Sequence, residues 1–181
     1  SKELAKVAEQ GNRSRIQELN KTRGFKLNQL YSQAEREALE DCEMLKYHPL
    51  FIAGVMLYWS EGDKVNKNAF RLTNADPRLI KLFVDFVIKL CQIPKDKIHP
   101  SLLLYPDLDE GACMEVWKKE GGLDGMRFFK STRLLGRKGK RRTKYGVCIV
   151  HVASSYLKRK MLVWMRHLPE LMVKSEYYYR Q

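Results

Sequence analysis

An acidic residue closes the most apolar stretch of the chain. Residues 49 to 59 are almost all apolar or small, and Glu61 follows within two positions, next to Gly62 and Asp63. A carboxylate at the C-terminal end of a helix opposes the helix dipole by about 0.3 to 1 kcal/mol. The position of Glu61 therefore predicts a compensating cation or metal ion nearby. For Glu61 the alternative is a solvated carboxylate without a ligand. For Asp63 a role in the turn is favoured over a role as a second metal ligand.

A strongly basic segment lies far from Glu61 in the sequence. Residues 133 to 144 (RLLGRKGKRRTK) contain seven basic residues and no acidic one. Each lysine or arginine that neutralises a phosphate releases condensed counterions, so the segment is a candidate for phosphate contacts. A solvated loop or a localisation signal is the alternative. The predicted contact residues are Arg133, Arg137, Lys138, Lys140, Arg141, Arg142 and Lys144, together with Lys64 and Lys67 close to the acidic residue.

The composition favours a polyanion as the partner. The chain of 181 residues has 34 lysines and arginines against 21 acidic residues, which gives a net charge of +13. Hydrophobic residues make up 44% of the chain, which argues against disorder. For a folded basic protein, nucleic acid is the first expectation and an anionic membrane surface is the second. A basic enzyme without such a partner is the third.

We expect a cytoplasmic protein without a membrane partner. The longest apolar run, residues 49 to 59, is shorter than the roughly 20 residues of a bilayer span, and no signal peptide precedes the fold. The four cysteines form no CxxC pair, which is typical of reduced core thiols in the cytosol. The four histidines lack HxxxH spacing and have no cysteine at a zinc-ligand distance, so we expect no structural zinc.

The first 48 residues are predicted to form a basic arm followed by an acidic helix. Residues 1 to 31 are basic and poor in apolar side chains, and Gly11 and Gly24 interrupt them, so a weak helix or an arm is expected. From Ser32 the capping-box pattern SQAE, with apolar residues at steps of three and four, predicts a helix of about three turns. Pro49 then ends this helix and starts the next one.

The helix of residues 49 to 61 is predicted to be apolar on two faces. A helix that is apolar all round is normally buried between two partners. Small side chains at Ala53 and Gly54 would let a second helix approach closely, and Gly62 is expected to end the helix in a left-handed cap. One stripe of this helix, at steps of four, three and four residues, consists of Leu50, Gly54, Leu57 and Glu61.

The remaining elements predict an α+β fold rather than a parallel doubly wound sheet. Residues 69 to 73 (AFRLT) alternate apolar and polar side chains, as in a strand with one wet face. Arg71 and Thr73 on that face are candidates for base or phosphate contacts, and an ordinary solvent-facing surface is the alternative. Strands are also predicted at 98–105 and 145–152. Helices are predicted at 77–92, 109–120 and 154–168, the last with Lys158, Arg159, Lys160 and Arg166 facing solvent.

Four short blocks of the sequence resemble a known family. The stretch GVMLYWSEG, residues 54 to 62, is similar to the LAGLIDADG signature of homing endonucleases, with Glu61 and Gly62 at the positions of its final acid and glycine. Together with LTNADPRLIKLF, CMEVWKK and YGVCIVHVASSYL, the stretch LYWSEGDK resembles the compact bacterial LAGLIDADG-like proteins, which carry LYWxEG instead. The resemblance divides the chain into the arm and acidic helix (1–48), a LAGLIDADG-like DNA-binding or nuclease domain (49–168) and a C-terminal tail (169–181).

The resemblance implies a saddle-shaped antiparallel sheet, packed under helices, that lies on double-stranded DNA. It implies that Glu61 is catalytic and binds Mg²⁺ or another divalent cation at the dyad of a homodimer, because carboxylate oxygens suit a hard cation. The implied activity is phosphodiester hydrolysis by a site-specific homing-type endonuclease, bacterial or phage-type and nucleoid-associated. The implied dimer interface consists of Leu50, Ala53, Gly54 and Leu57.

The alternative is a catalytically inactive DNA-binding protein or transcription regulator on the same scaffold. This alternative arises because Glu61 is one methylene longer than the aspartate of the family, and because Trp59 stands where the signature has its first aspartate. The basic segment and the aromatic residues also keep RNA binding open as a third function.

Overall fold

A computed structural model describes residues 2–66, 68–134 and 143–174 of the chain. The described residues form five α-helices and a four-stranded mixed sheet, which confirms the α+β class. A single 3-10 turn, Lys95–Lys97, precedes the second strand. In chain order the elements are α1 (Lys2–Leu45), α2 (Pro49–Glu61), β1 (Phe70–Asn74), α3 (Pro77–Lys89), β2 (Ile98–Leu104), α4 (Glu110–Glu120), β3 (Thr132–Arg133), β4 (Val147–Val152) and α5 (Ser155–Lys174).

The sheet has the strand order β1-β4-β2-β3. β4 pairs antiparallel with both β1 and β2, whereas β3 pairs parallel with β2, so the expected purely antiparallel sheet is wrong at this edge. The segment that contains β3 follows β2 in the same direction, since Phe129 N–H donates to Pro100 O (2.7 Å) and Leu134 N–H donates to Leu104 O (2.9 Å). β3 has only two residues and both are exposed, so the sequence carries no alternation that could reveal it.

The two faces of the sheet differ in polarity, as the alternation in β1 predicts. One face is buried against α2, α3 and α5 and forms most of the core. The other face, which we call the open face, carries side chains that are mostly half-buried. The buried face consists of Phe70, Leu72, Ile98, Pro100, Leu102, Leu104, Cys148, Val150 and Val152, and the open face includes Arg71, Thr73, His99, Ser101, Ile149 and His151.

α1 is one continuous helix of 44 residues, about 66 Å long at 1.5 Å per residue. The prediction of a new helix start at Ser32 is wrong, because the helix passes through Ser32 without a break. Gly11 and Gly24 do not interrupt it, since a helical glycine costs only about 1 kcal/mol relative to alanine. Residues 11 to 30 are all exposed, whereas Ala34, Ala38 and Cys42 are buried on the side of α1 that packs against α5.

α2 begins at Pro49 and ends at Glu61, as predicted, but its faces are used differently. A Cβ built on Gly54 would overlap the ring of Phe86, so the close approach that this glycine permits is made by α3 of the same chain. Gly54 and Leu57 are therefore buried within the chain, and their assignment to a dimer interface is wrong. Leu50 and Ala53 are half-buried. The exposed apolar side chains of α2 are Met56 (45% exposed) and Trp59 (42% exposed).

Gly62 ends α2, but not in the left-handed conformation that the sequence predicts. Its φ of −77° and ψ of 151° are extended, because the chain continues directly into a bridge with Leu72 of β1. A Cβ at this position would overlap the carbonyl oxygen and the ring of Tyr58. Glycine is thus needed here for close approach and not for a positive φ.

The contact between Gly54 and Phe86 gives a direct test of the fold. Gly54→Ala should lower the free energy of unfolding by about 1 to 3 kcal/mol, because the added methyl group overpacks the α2–α3 contact. Gly24→Ala is the matched control, since nothing lies within 4 Å of a Cβ at that position and alanine favours the helix. Urea unfolding measures both. Equal stability of Gly54→Ala and wild type would contradict the packing of α2 on α3.

Candidate functional site

Glu61 lies at the last position of α2, where its side chain is exposed. Its neighbour Lys64 supplies the compensating cation that the sequence predicts at this helix end. The Lys64 ammonium donates to the carbonyl oxygen of Trp59 (2.8 Å), one of the unpaired acceptors of the last turn. The dipole is therefore offset by a lysine, and Glu61 presents a carboxylate to solvent.

Asp63 is a turn residue, in agreement with the favoured prediction. Its Oδ1 accepts from the backbone N–H groups of Val65 (2.9 Å) and Asn66 (3.1 Å), and its Oδ2 binds the Nε of Arg71 at 2.6 Å. The backbone N–H of Asn66, and then the Arg71 guanidinium, lower the pKa of this carboxyl group below its usual value. The carboxylate thus ties the turn to β1, and protein donors already use three of its roughly four acceptor sites.

A buried lysine of α5 contacts the end of α2 and the turn that follows it. Lys158 is 1% exposed, and its ammonium donates to Tyr58 Oη (2.8 Å) and to the carbonyl oxygen of Asp63. Tyr58 Oη itself donates to the same carbonyl oxygen at 2.7 Å. Burial lowers the pKa of Lys158, because the charged form loses its hydration. We call Lys158, Tyr58 and Asp63 the lysine junction.

The prediction that Lys158 faces solvent is wrong, and the sequence contained the signal. Lys158 directly follows Leu157 and lies three residues before Met161, and both of these apolar residues are buried on α5. A residue at these spacings falls within the buried stripe of a helix. The prediction of solvent exposure followed from the charge of lysine, whereas its position on the helix indicates burial.

The open face carries a row of basic side chains across three strands. Arg71 of β1 is the register partner of His151 of β4, and His151 is the register partner of His99 of β2. Ser101 Oγ lies 2.9 Å from His151 Nε2, and the His99 ring stacks on Phe129 with centroids 4.6 Å apart. We call Arg71, His151 and His99 the basic row. The Arg71 side chain remains 42% exposed beside its ion pair with Asp63.

The two histidines of the basic row were not predicted as site residues. Sequence reasoning tested the histidines only for zinc-ligand spacing. Alternation along β4 would have put His151 on the open face, but the pairing of His151 with His99 and Arg71 depends on strand register. Thr73, which was predicted, lies on the same face opposite Ile149.

The other predicted phosphate contacts have different surroundings. Arg133 Nη1 donates to the carbonyl oxygens of Leu108 (2.7 Å) and Tyr105 (3.2 Å), so its guanidinium stabilises the turn before α4. Lys144 is exposed, and its ammonium lies 5.0 Å from the centroid of the Tyr145 ring. The remaining predicted contacts, Lys67, Arg137, Lys138, Lys140, Arg141 and Arg142, lie outside the described residues.

Within the described ranges, no group of three or more histidine, cysteine, aspartate or glutamate side chains could hold a metal ion. Cys42, Cys91, Cys113 and Cys148 are free thiols. Burial raises the pKa of Cys42 to about 11 and also raises that of Cys148, so these thiols are inert core groups at neutral pH. Of the helices described, none combines the length and the apolar character that a membrane crossing needs.

Comparison of the chain with protein-family models, curated proteins and solved structures gives no match. The resemblance to LAGLIDADG-like proteins therefore stays a prediction from short motifs.

The lysine junction predicts a specific pH dependence of stability. The pKa of Lys158 in the folded protein lies below its usual value of 10.5. At pH values between these two, the unfolded state binds more protons than the folded state, so stability rises with pH. Wild type should therefore gain stability relative to Lys158→Met between neutral pH and about pH 10. Urea unfolding at several pH values measures this difference, with Lys119→Met, an exposed lysine of α4, as the control. A difference between wild type and Lys158→Met that does not change with pH would contradict the buried ammonium.

Proposed function

We propose that this protein binds double-stranded DNA through the open face of its sheet. The observation that carries the proposal is the basic row, in which Arg71, His151 and His99 follow one another across neighbouring strands. Strands in a sheet are about 4.8 Å apart, so the row spans roughly 10 Å. On a chain with a net charge of +13, Arg71 supplies the fixed cation of this face and the two imidazole rings supply hydrogen-bonding groups, so a polyanion that binds here would release condensed counterions at Arg71.

The chemistry of the open face favours a duplex as the polyanion. Strands can enter the major groove, which is about 12 Å wide, and present alternate side chains to base edges and phosphates. Arg71 has the planar guanidinium that recognises guanine or phosphate, and the Thr73 hydroxyl can bind either base edges or phosphate oxygens. The half-buried side chains of the open face fit direct contact with a ligand better than a fully hydrated surface.

Cleavage of DNA is the second proposal, and it depends on a homodimer. A single chain does not fit a resident Mg²⁺ ion, because Glu61 offers one exposed carboxylate and the Asp63 carboxylate is held by the turn and by Arg71. Two copies would be needed to bring two Glu61 side chains together. The apolar side chains Met56 and Trp59, exposed on the same helix, favour such a contact between copies. We therefore rank DNA binding first and Mg²⁺-dependent cleavage second.

Arg71 provides the test of DNA binding. Arg71→Gln should weaken binding to a duplex by about 1 to 3 kcal/mol and reduce the dependence of the affinity on salt, because one cation on the open face is lost. Fluorescence anisotropy at several salt concentrations measures both effects. Arg78→Gln is the matched control, since Arg78 is also an arginine paired with an aspartate, Asp76, but lies at the start of α3. Equal affinity of Arg71→Gln and wild type would refute the role of the open face.

Glu61 provides the test of cleavage. Incubation with a plasmid library and Mg²⁺ should give cuts that Glu61→Gln abolishes, while the affinity for DNA is retained. Analytical ultracentrifugation of Met56→Glu reports whether the exposed face of α2 forms the dimer, because a buried charge there would dissociate it. If wild type binds DNA in a salt-dependent manner but makes no metal-dependent cuts, the protein is a DNA-binding protein without nuclease activity.

A further inference from the structure

The two histidines of the open face lie directly opposite each other. His99 and His151 are register partners in the antiparallel pair β2–β4, and side chains in such positions have Cβ atoms about 4.5 to 5.5 Å apart. Both rings are half-buried. Two imidazolium ions at this separation repel each other unless an anion lies between or above them.

The groups that face His151 are cationic or neutral. Arg71 faces it from β1, and His99 and Ser101 face it from β2. From the segment after α4, the Phe129 ring lies 5.8 Å from the His151 ring, and this segment also supplies the Arg127 carbonyl oxygen, 3.4 Å from His99 Nδ1. The acid of this network, Asp63, binds Arg71. Burial first, and then Arg71 and His99, lower the pKa of His151, which favours the neutral form of its ring.

The hydrogen bond between Ser101 and His151 can reverse its direction. When the His151 ring is neutral and Nε2 lacks a proton, the Ser101 hydroxyl donates to Nε2 across the 2.9 Å contact. When the ring gains a proton, Nε2–H donates to Ser101 Oγ, and the serine hydrogen becomes free to point elsewhere. Protonation therefore creates one positive charge and one new hydroxyl donor on the open face.

We propose that the basic row binds a phosphodiester group of DNA, and that His151, with His99 beside it, takes up a proton from solvent as the anion binds. The inference rests on the proposed DNA-binding function, because the ligand is the phosphate backbone of the same duplex. A phosphate oxygen against the row supplies the negative charge that the neighbours of His151 lack. It thereby stabilises the imidazolium form and accepts a hydrogen bond from the freed Ser101 hydroxyl.

The sign of the pH dependence follows from this arrangement. The pKa of His151 is low in the free protein and higher in the complex, so the complex holds more protons between the two values. Affinity for DNA should therefore rise as pH falls through about pH 8 to 5.5, the range in which histidine titrates. The change should reach at most about tenfold per pH unit for each proton taken up.

The experiment measures proton uptake directly. Isothermal titration calorimetry with a random-sequence duplex, at constant ionic strength and in two buffers of different ionisation enthalpy, gives the number of protons bound with the DNA. Wild type should take up protons near pH 6.5, and His151→Gln should lose most of this uptake and bind the duplex more weakly, with an affinity that depends less on pH, although glutamine can keep the hydrogen bond to Ser101. His99→Gln should reduce it. His167→Gln, which changes a half-buried histidine of α5, is the control and should leave the uptake unchanged.

Each outcome separates this inference from the proposed function. Salt-dependent binding with no proton uptake, or with equal uptake in wild type and His151→Gln, overturns the inference and leaves DNA binding in place. Loss of uptake in His167→Gln instead would also overturn it. If the duplex does not bind at any pH, the proposed function fails and the inference fails with it. Circular dichroism of each variant establishes that a lost effect does not come from unfolding.

Discussion

The buried ammonium of Lys158 constrains how the helices and the sheet meet. A charge inside an apolar core is tolerated only where polar groups replace its lost hydration. Tyr58 Oη and the carbonyl oxygen of Asp63 do this, and they belong to α2 and to the turn that follows it. The side chain of Asp63 then binds Arg71 on the open face. A chain of polar contacts thus links α5, the end of α2 and β1. The turn after Glu61 is fixed by Lys158 through its backbone and by Arg71 through the Asp63 side chain.

The elements that the sequence predicted well are those with local chemical signals. Pro49 begins α2, the Asp76 side chain caps α3 by accepting from Arg78 N–H, and the Asp109 side chain caps α4 by accepting from Ala112 N–H. β1 was found from its alternation. The continuity of α1 could not be predicted from the sequence. A glycine lowers the stability of a helix without necessarily ending it, and the docking of α1 on α5 is a tertiary contact. The partner of Gly54 was missed for the same reason, since periodicity reports that a face is apolar but not which helix covers it.

The candidate site was predicted less well than the fold. The wet-face position of Arg71 and Thr73 followed from alternation along the strand, and a turn was the favoured role for Asp63. The histidines of the basic row did not, because their approach depends on the register of β2 and β4, which are separated by more than 40 residues in the chain. Strand register is fixed by tertiary packing and turn geometry, and no short window of the sequence contains either. Five of the ten predicted basic contacts fall on residues 135–142, outside the described part of the chain.

α1 is geometrically uniform, but its two halves stand in different environments. Its second half is held against α5 by buried small side chains and by the ion pairs Glu35–Arg159 and Asp41–Lys160, both at 2.8 Å. Residues 11 to 30 have only exposed side chains, so they lack the tertiary packing that supplies most of the stability of helices in proteins. Because the docked half is already helical, the exposed half can extend the same helix without a new nucleation step. Protection of backbone amides against hydrogen exchange should therefore decline along one unbroken helix, from Cys42 toward its first turns.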